Sequence, residues 1–548
     1  MAKFRLSSLF SGSSSSNGSA DVKKQNRRSF SGLSARSPRK PRQEDSQSDG
    51  TTLAALPADA AEESPSRMVA LAQTITRETE KFEAYFKANG LPLPSFDAQA
   101  PADLPRLPKE IQKSRQDIIF ATKQLRDLAV GPRESVRWGT WGHLDVLALQ
   151  ILNHFGIPKL VPVDGTITLS ELQTKTPLDP VNLARIMRVG ITNNIFAEPS
   201  PGVIAHTAAS RVMAEDEDLQ AWVGFNTEDI FPASAHVLQA LQRYPEAIHL
   251  TQTGFNFAFD TVDKEPMFVT FGKDPARAKR MGRAMASLTG GEGYELSYLV
   301  DVENGGYDFG AVDAAEGTFV DIGGSHGFVC VDLAKRYKNM KFVVQDLQKT
   351  VDSAPKPISE DAQMAERITL QAHDFFTEQP VKGADVYFFR WIIHNYSNPY
   401  AVKILRALIP ALKPGARVLI NDNCLSEAGS ENPWDEARMH RMDLVMLALL
   451  NAQERTEAEF RELFRTVDEG FVFKGATRPP GSRMSIVEAV WRPDLVEGAA
   501  EEPAAAAAAA AATVTTADEQ AVGAPSEDKA EELEPAGEPK SEPETAKV

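Results

Sequence analysis

The chain has 548 residues, 42% hydrophobic and 25% charged, with a formal net charge of −17; that length holds two or three domains and ample core. Its two cysteines, Cys330 and Cys424, are too few for a disulfide framework and lack metal-ligand spacing, which suits a reducing, cytoplasmic setting. No apolar run reaches the ~20 residues of a membrane span, the longest being Met442–Leu450, so no membrane role is expected. The charge is unevenly spread: residues 1–50 carry ten Lys and Arg against four Asp and Glu, whereas residues 497–548 carry three against thirteen. Nothing in this balance calls for nucleic acid as a partner of a folded core.

Residues 1–66 are rich in Ser, Gly, Lys and Arg and show almost no apolar periodicity. Such a stretch buries too little surface to offset its ordering entropy, so a disordered basic tail is expected. Arg27-Arg28-Ser29 and Ser37-Pro38-Arg39-Lys40 have phosphosite character, and an organelle transit segment is the weaker alternative because the apolar face is poor.

Residues 67–300 read as one helical domain. Met68, Leu71, Ile75, Phe82 and Phe86 fall at helical spacing, stopped by Gly90-Leu-Pro-Leu-Pro-Ser95. A second amphipathic helix runs over Ile111–Leu128, and an apolar helix over His143–Phe155 ends at Gly156-Ile-Pro158. Thr168-Leu-Ser-Glu-Leu and Asp179-Pro180 open two more with capping chemistry. Ile195-Phe-Ala-Glu and Val203-Ile-Ala-His then form a two-stranded wing, and the order predicts a winged helix. Its third helix offers only Arg185 and Arg188 as cations, too few for phosphate binding; an interface or substrate-lid role fits better. Phe255, Phe257 and Phe259, two residues apart, line either an aromatic pocket or plain core, and Met281 and Met285 share a face of a helix over Arg277–Leu288.

Residues 301–494 alternate strand and helix, which predicts an α/β Rossmann-like domain with a doubly wound parallel sheet. The strand candidates are Thr318–Ile322, Lys341–Gln345, Ile368–Ala372, Ala384–Phe389 and Arg417–Asn421, with Phe471–Gly475 and Met484–Val490 as an antiparallel finish. Residues 495–548, with Glu, Pro and nine consecutive alanines, read as a disordered acidic tail.

The chemistry centres on Thr318-Phe-Val-Asp-Ile-Gly-Gly-Ser-His-Gly327 followed by Lys341-Phe-Val-Val-Gln-Asp346. A strand turns on Gly323, Gly324 and Gly327 into a helix, and the next strand ends in a carboxylate suited to ribose hydroxyls. The acidic Asp321 before the turn suits a cationic ligand end better than a pyrophosphate, and S-adenosylmethionine has such an end. Three further groups follow strand ends. Asp374 and Phe375 are placed to bond and stack on an adenine. His394 is placed as a general base for a phenol, with Asp422 and Glu454 as its carboxylate supports. The chain shows no paired His/Asp/Glu metal spacing, so no metal is expected and a magnesium-dependent transferase is disfavoured.

These residues resemble the plant-type, metal-independent O-methyltransferase family that includes caffeic acid O-methyltransferase, and more closely its fungal branch of sterigmatocystin- and polyketide-modifying enzymes. The resemblance spans roughly Met68 to Arg492 and includes Leu91-Pro-Leu-Pro-Ser-Phe96, Tyr307-Asp-Phe309 and Trp391-x-x-His394. It implies a homodimer in which the N-terminal helical domain covers the partner's site, S-adenosylmethionine as cofactor and a small-molecule aromatic acceptor. It implies His394 as base flanked by Asp422 and Glu454, donor contacts at Gly323, Asp346, Asp374, Phe375 and Arg390, and acceptor contact at Met446. Departures from the family pattern are Ser325 in the glycine run, Arg390 where Lys is commoner, Asp422 where the plant enzymes carry Glu, and an Asp443–Glu454 segment one residue shorter. Rival readings are an N-methyltransferase or hydrolytic relative on the same fold, and a non-catalytic regulator.

Overall fold

The computed structural model describes residues 65–495. The tails expected over 1–66 and 495–548 therefore lie outside the described residues, except for residues 65, 66 and 495.

Two long helices, Arg67–Ala88 and Lys109–Val130, open this part and pack together. The first buries Phe82 and Phe86 on one face together with Glu78, whose carboxylate accepts from Arg77, Ser114 and Lys81. Those donors, Arg77 foremost, hold the Glu78 carboxyl down at about 2. A small core of Leu152, Leu172, Leu183, Phe196 and Ile204 follows, built from short helices and a three-stranded antiparallel sheet ordered β1-β3-β2. Its strands are β1 (Thr166–Thr168), β2 (Phe196–Ser200) and β3 (Val203–His206). The expected two-stranded wing thus gains a third strand, because Thr166–Thr168 pairs with Val203–Ala205 before Thr168 caps the next helix.

Of the two readings of the aromatic triplet, core holds for Phe255 and Phe259. Gly254–Ala258 is a short helix capped by Thr253, so Phe255 and Phe259 share a face with ring centroids 4.6 Å apart. Phe255 is fully buried, and Arg277 lies over both rings. Met281 and Met285 pack on the same cluster as Phe255, alongside Met446 and Leu449 of the helix Pro433–Leu450.

The remainder is organised on a seven-stranded sheet. Strands β4 (Thr318–Ile322), β5 (Lys341–Asp346), β6 (Ile368–Ala372), β7 (Val386–Arg390) and β8 (Arg417–Asp422) are parallel. Two-residue strands β9 (Cys424–Leu425) and β10 (Arg455–Thr456) pair separately in parallel, and β11 (Phe471–Thr477) and β12 (Ser485–Trp491) close one edge antiparallel. The order is β11-β12-β8-β7-β4-β5-β6. Side chains alternate across it: Val320, Ile322, Tyr387 and Phe389 enter one core, and Phe319, Val386 and Phe388 the other. Burying both faces explains why these strands read as continuous apolar runs. The chain leaves β4 toward β5 and β6, then returns to β7 on the other flank. This reversal opens a crevice at the carboxyl ends of β4 and β7.

Candidate active site

One rim of the crevice is the turn after β4. Gly323 has φ +74°, and a Cβ there would lie 2.5 Å from Ile392 Cδ1 and 3.8 Å from Phe375 Cε1. A side chain at Gly323 would therefore push apart the segments that follow β6 and β7. A Cβ on Gly324 would lie 2.5 Å from the Asp321 carboxylate. Asp321 is consequently buried beneath the turn, where it accepts from Cys330 Sγ at 3.6 Å, and burial pushes its carboxyl up to about 7. Asp346, at the end of β5, faces the turn directly: Oδ2 accepts the Ser325 N–H at 2.9 Å and Oδ1 the Leu347 N–H at 2.8 Å. Asp374 accepts the Phe376 N–H at 3.0 Å, and Phe375 meets Tyr396 edge to face at 5.8 Å.

The opposite rim follows β7. Trp391 turns the chain in the left-handed region at φ +58°, an uncommon conformation for a bulky residue, and a short helical turn then carries His394. The His394 N–H donates to Asp422 Oδ2 at 3.0 Å, and its ring Nδ1 donates to Glu454 Oε1 at 3.0 Å. A carboxylate only accepts, so this contact places the ring proton on Nδ1 and leaves Nε2 a lone pair. Asn423 Nδ2 also donates to Glu454 Oε1, and Asp443 accepts the Glu454 N–H. His394, Asp422 and Glu454 are 5%, 0% and 3% exposed, so all three charges are withdrawn from water. Burial lowers the imidazole pKa, but the Glu454 and Asp422 carboxylates more than offset it, and the net direction is upward. Burial, with Glu454 adding to it, pushes the Asp422 carboxyl up. One oxygen of each carboxylate, Asp422 Oδ1 and Glu454 Oε2, has no hydrogen-bond partner among the described residues. The surplus of acceptor capacity favours a proton on the imidazole.

Two residues of this rim had no signal of their own in the sequence. Arg455, 1% exposed, donates to the carbonyls of Ile393 and Tyr396 and to Asn398 Oδ1, clamping the His394 turn. Burial lowers its pKa to about 10 against the pull of Asp422 and Glu454. Asn423 fixes Glu454 from the far side. The run Asn451-Ala-Gln-Glu454-Arg-Thr456 contained the clamp, but only the parallel pairing of β9 with β10 turns Arg455 inward.

Two of the expected residues have protein neighbours of their own. Arg390 directs its guanidinium to Asn421 Oδ1 and to the Tyr294 carbonyl. Met446 is buried in the cluster around Phe255, whereas Met439 and Met442 of the same helix line a groove of about 1440 Å³ that also reaches Asn423.

A match to the O-methyltransferase domain model covers residues 309–472. Chlorophenol O-methyltransferase of Trichoderma longibrachiatum is 62% identical over 426 residues, which is 78% of this chain and 90% of that protein. O-methyltransferase gsfB of Penicillium aethiopicum is 34% identical, covering 78% and 99% respectively. Among solved structures, OxaC shares the fold with a TM-score of 0.62 at 23% identity, over 78% of this chain and all of that one. Fold and crevice define a methyltransferase built on a mostly parallel sheet. The chain belongs to the O-methyltransferase family, and it is an S-adenosylmethionine-dependent enzyme of the kind found in fungal secondary metabolism. The regulator reading is thereby set aside. Among the described residues no helix is long and apolar enough to cross a membrane.

Proposed function

We propose that this enzyme methylates a phenolic hydroxyl of an aromatic, polyketide-type acceptor, with His394 as general base. The contact of the His394 ring with buried Glu454 carries the reading, because it fixes the tautomer that leaves Nε2 free to take a proton. The 62%-identical relative is named for chlorophenol, which supports a phenolic acceptor here.

The cofactor fits the first rim. Asp346 offers a carboxylate with lone pairs left beside a glycine turn, and Phe375, Phe376 and Tyr396 form an aromatic wall next to it. Gly323, Gly324, Asp346, Asp374 and Phe375 would hold S-adenosylmethionine, with Asp321 setting the turn from below and Arg390 acting through Tyr294. When bound, the cofactor supplies a methyl group made electrophilic by its sulfonium. His394 Nε2 removes the hydroxyl proton as the oxygen attacks, Glu454 stabilises the imidazolium, and Asp422 holds the turn that presents the ring. The buried carboxylates make the charged ring affordable away from water.

Residues 67–300 and 301–494 are proposed as two domains, the first with winged-helix character supported by the capped helices and small sheet. A homodimer is supported by an apolar surface on the N-terminal helices, where Val136, Trp138, Trp141 and Leu144 are 73%, 52%, 57% and 40% exposed. A cytoplasmic location remains the accompanying proposal.

The test is a screen of the purified full chain with labelled donor against chlorophenols, hydroxyanthraquinones and matched anilines. Transfer to phenols and not to anilines is expected; transfer to anilines alone would overturn the acceptor class.

A further inference from the structure

The groove that reaches Asn423 is larger than a single phenol ring requires, at about 1440 Å³. Tyr294, at its near end, lies 5.4 Å from Trp391, whose ring lies 4.9 Å from that of His394. Asn423 also lines the groove and donates to Glu454, so one ring or one carboxylate separates its near end from the base. Beyond the apolar Met439 and Met442 the wall carries both signs of charge, and on the side of these methionines its cations are Arg115, Arg438, Arg478 and Arg483 among the acids Glu292, Glu431 and Asp435.

Three of these four arginines are already matched to carboxylates. Arg115 pairs with Glu292 at 2.8 Å, Arg478 with Glu431, and Arg483 with Glu292 at 3.9 Å. Arg438 is partly buried, yet it makes no hydrogen bond or ion pair among the described residues. Of the neighbouring acids, Glu292 accepts from Gln112 and Arg115, and Asp435 accepts from the neutral Gln116 amide; neither reaches Arg438. Burial, and then the nearby Arg483 charge, lower the Arg438 pKa, while Tyr294, Asp435 and Glu292 act in the opposite direction. A partly dehydrated guanidinium with no hydrogen-bonded partner gains from an anion that meets it directly.

We infer that Arg438 is a specificity residue for an acceptor that carries a carboxylate remote from the methylated hydroxyl, the aromatic body lying along Met439 and Met442. The guanidinium fork matches a carboxylate with two parallel hydrogen bonds. The carboxylate is not itself methylated; it anchors the acceptor while the hydroxyl oxygen takes the methyl and His394 takes the proton. The inference rests on the phenol-methylating reading and adds the acidic group to it.

The test uses the full chain with a hydroxybenzophenone carboxylic acid and its methyl ester, with product position read by mass spectrometry. A charge-assisted pair predicts that the acid is preferred by roughly 10- to 100-fold in kcat/KM. In R438Q that ratio falls toward one through the KM of the acid, and R438K restores part of it. The acid should also raise the Tm of the native protein, more than the ester does, and lose that effect in R438Q. Equal use of acid and ester by the native enzyme overturns the inference and leaves the phenol reading intact, whereas no transfer to either overturns both. A loss of S-adenosylmethionine affinity in R438Q, read by calorimetry, would instead assign Arg438 to the donor and overturn the inference.

Discussion

The two rims of the crevice handle their carboxylates in opposite ways. At the ends of β4 and β5, each oxygen of Asp346 accepts a backbone N–H. On the other rim, Asp422 at the end of β8 and Glu454 just before β10 are deeply buried and each keeps one oxygen unmatched among the described residues. The first arrangement is preorganised by backbone and needs little from its occupant. The second holds negative charge out of water beside a titratable ring, which costs stability and is of use only if a proton arrives. Binding and proton transfer are thus assigned to separate strand ends, a division that substitutions can break.

The largest expected effect is on the second rim. His394→Gln should lower kcat by roughly 10²- to 10⁴-fold while calorimetry still detects donor binding; turnover near the native rate would remove the base from the account. On the first rim, Asp346→Asn should weaken donor affinity by roughly 10- to 100-fold, the range for a lost charge-assisted hydrogen bond, with the pH profile of turnover retained. An altered profile with intact affinity would mean that the rims are not separate. The smallest effect is expected from Asp422→Asn, which can still accept the His394 N–H. The native Asp422 pKa is raised by burial, so its ionisation costs stability as pH rises above the ordinary carboxylate value. Removing that charge should leave Tm at neutral pH unchanged or higher, measured by calorimetry; a large fall in Tm would show that the ionised form stabilises the fold.

The strands of the sheet were legible in the sequence because both their faces are buried, so that Val386–Phe389 is one apolar run bounded by polar residues. The glycine turn, Asp346 and His394 were legible because each lies just past a strand end, where an open α/β sheet gathers its site; Glu454 was legible as an acid following the apolar end of the helix Pro433–Leu450. Arg455 and Asn423 were not, since their roles depend on carbonyls and a carboxylate brought near by tertiary pairing. The two-residue strands β9 and β10 are too short to show a period. Phe255, Phe257 and Phe259 left pocket and core both open, because which rings share a face depends on the helix that the Thr253 and Asn256 capping box starts. Met446 shares a helix with Met439 and Met442, and sequence alone does not tell which turn meets the groove.

The central claim is that Glu454 sets the tautomer and raises the basicity of His394. The direct measurement is the pH dependence of kcat/KM for the native enzyme and Glu454→Gln. In the native enzyme the raised imidazole pKa keeps the ring protonated to higher pH, so the acid limb should lie above the ordinary histidine value. In Glu454→Gln the opposing charge is gone, and the acid limb should move to lower pH while the plateau rate falls. An acid limb that stays in place in the variant would contradict the account.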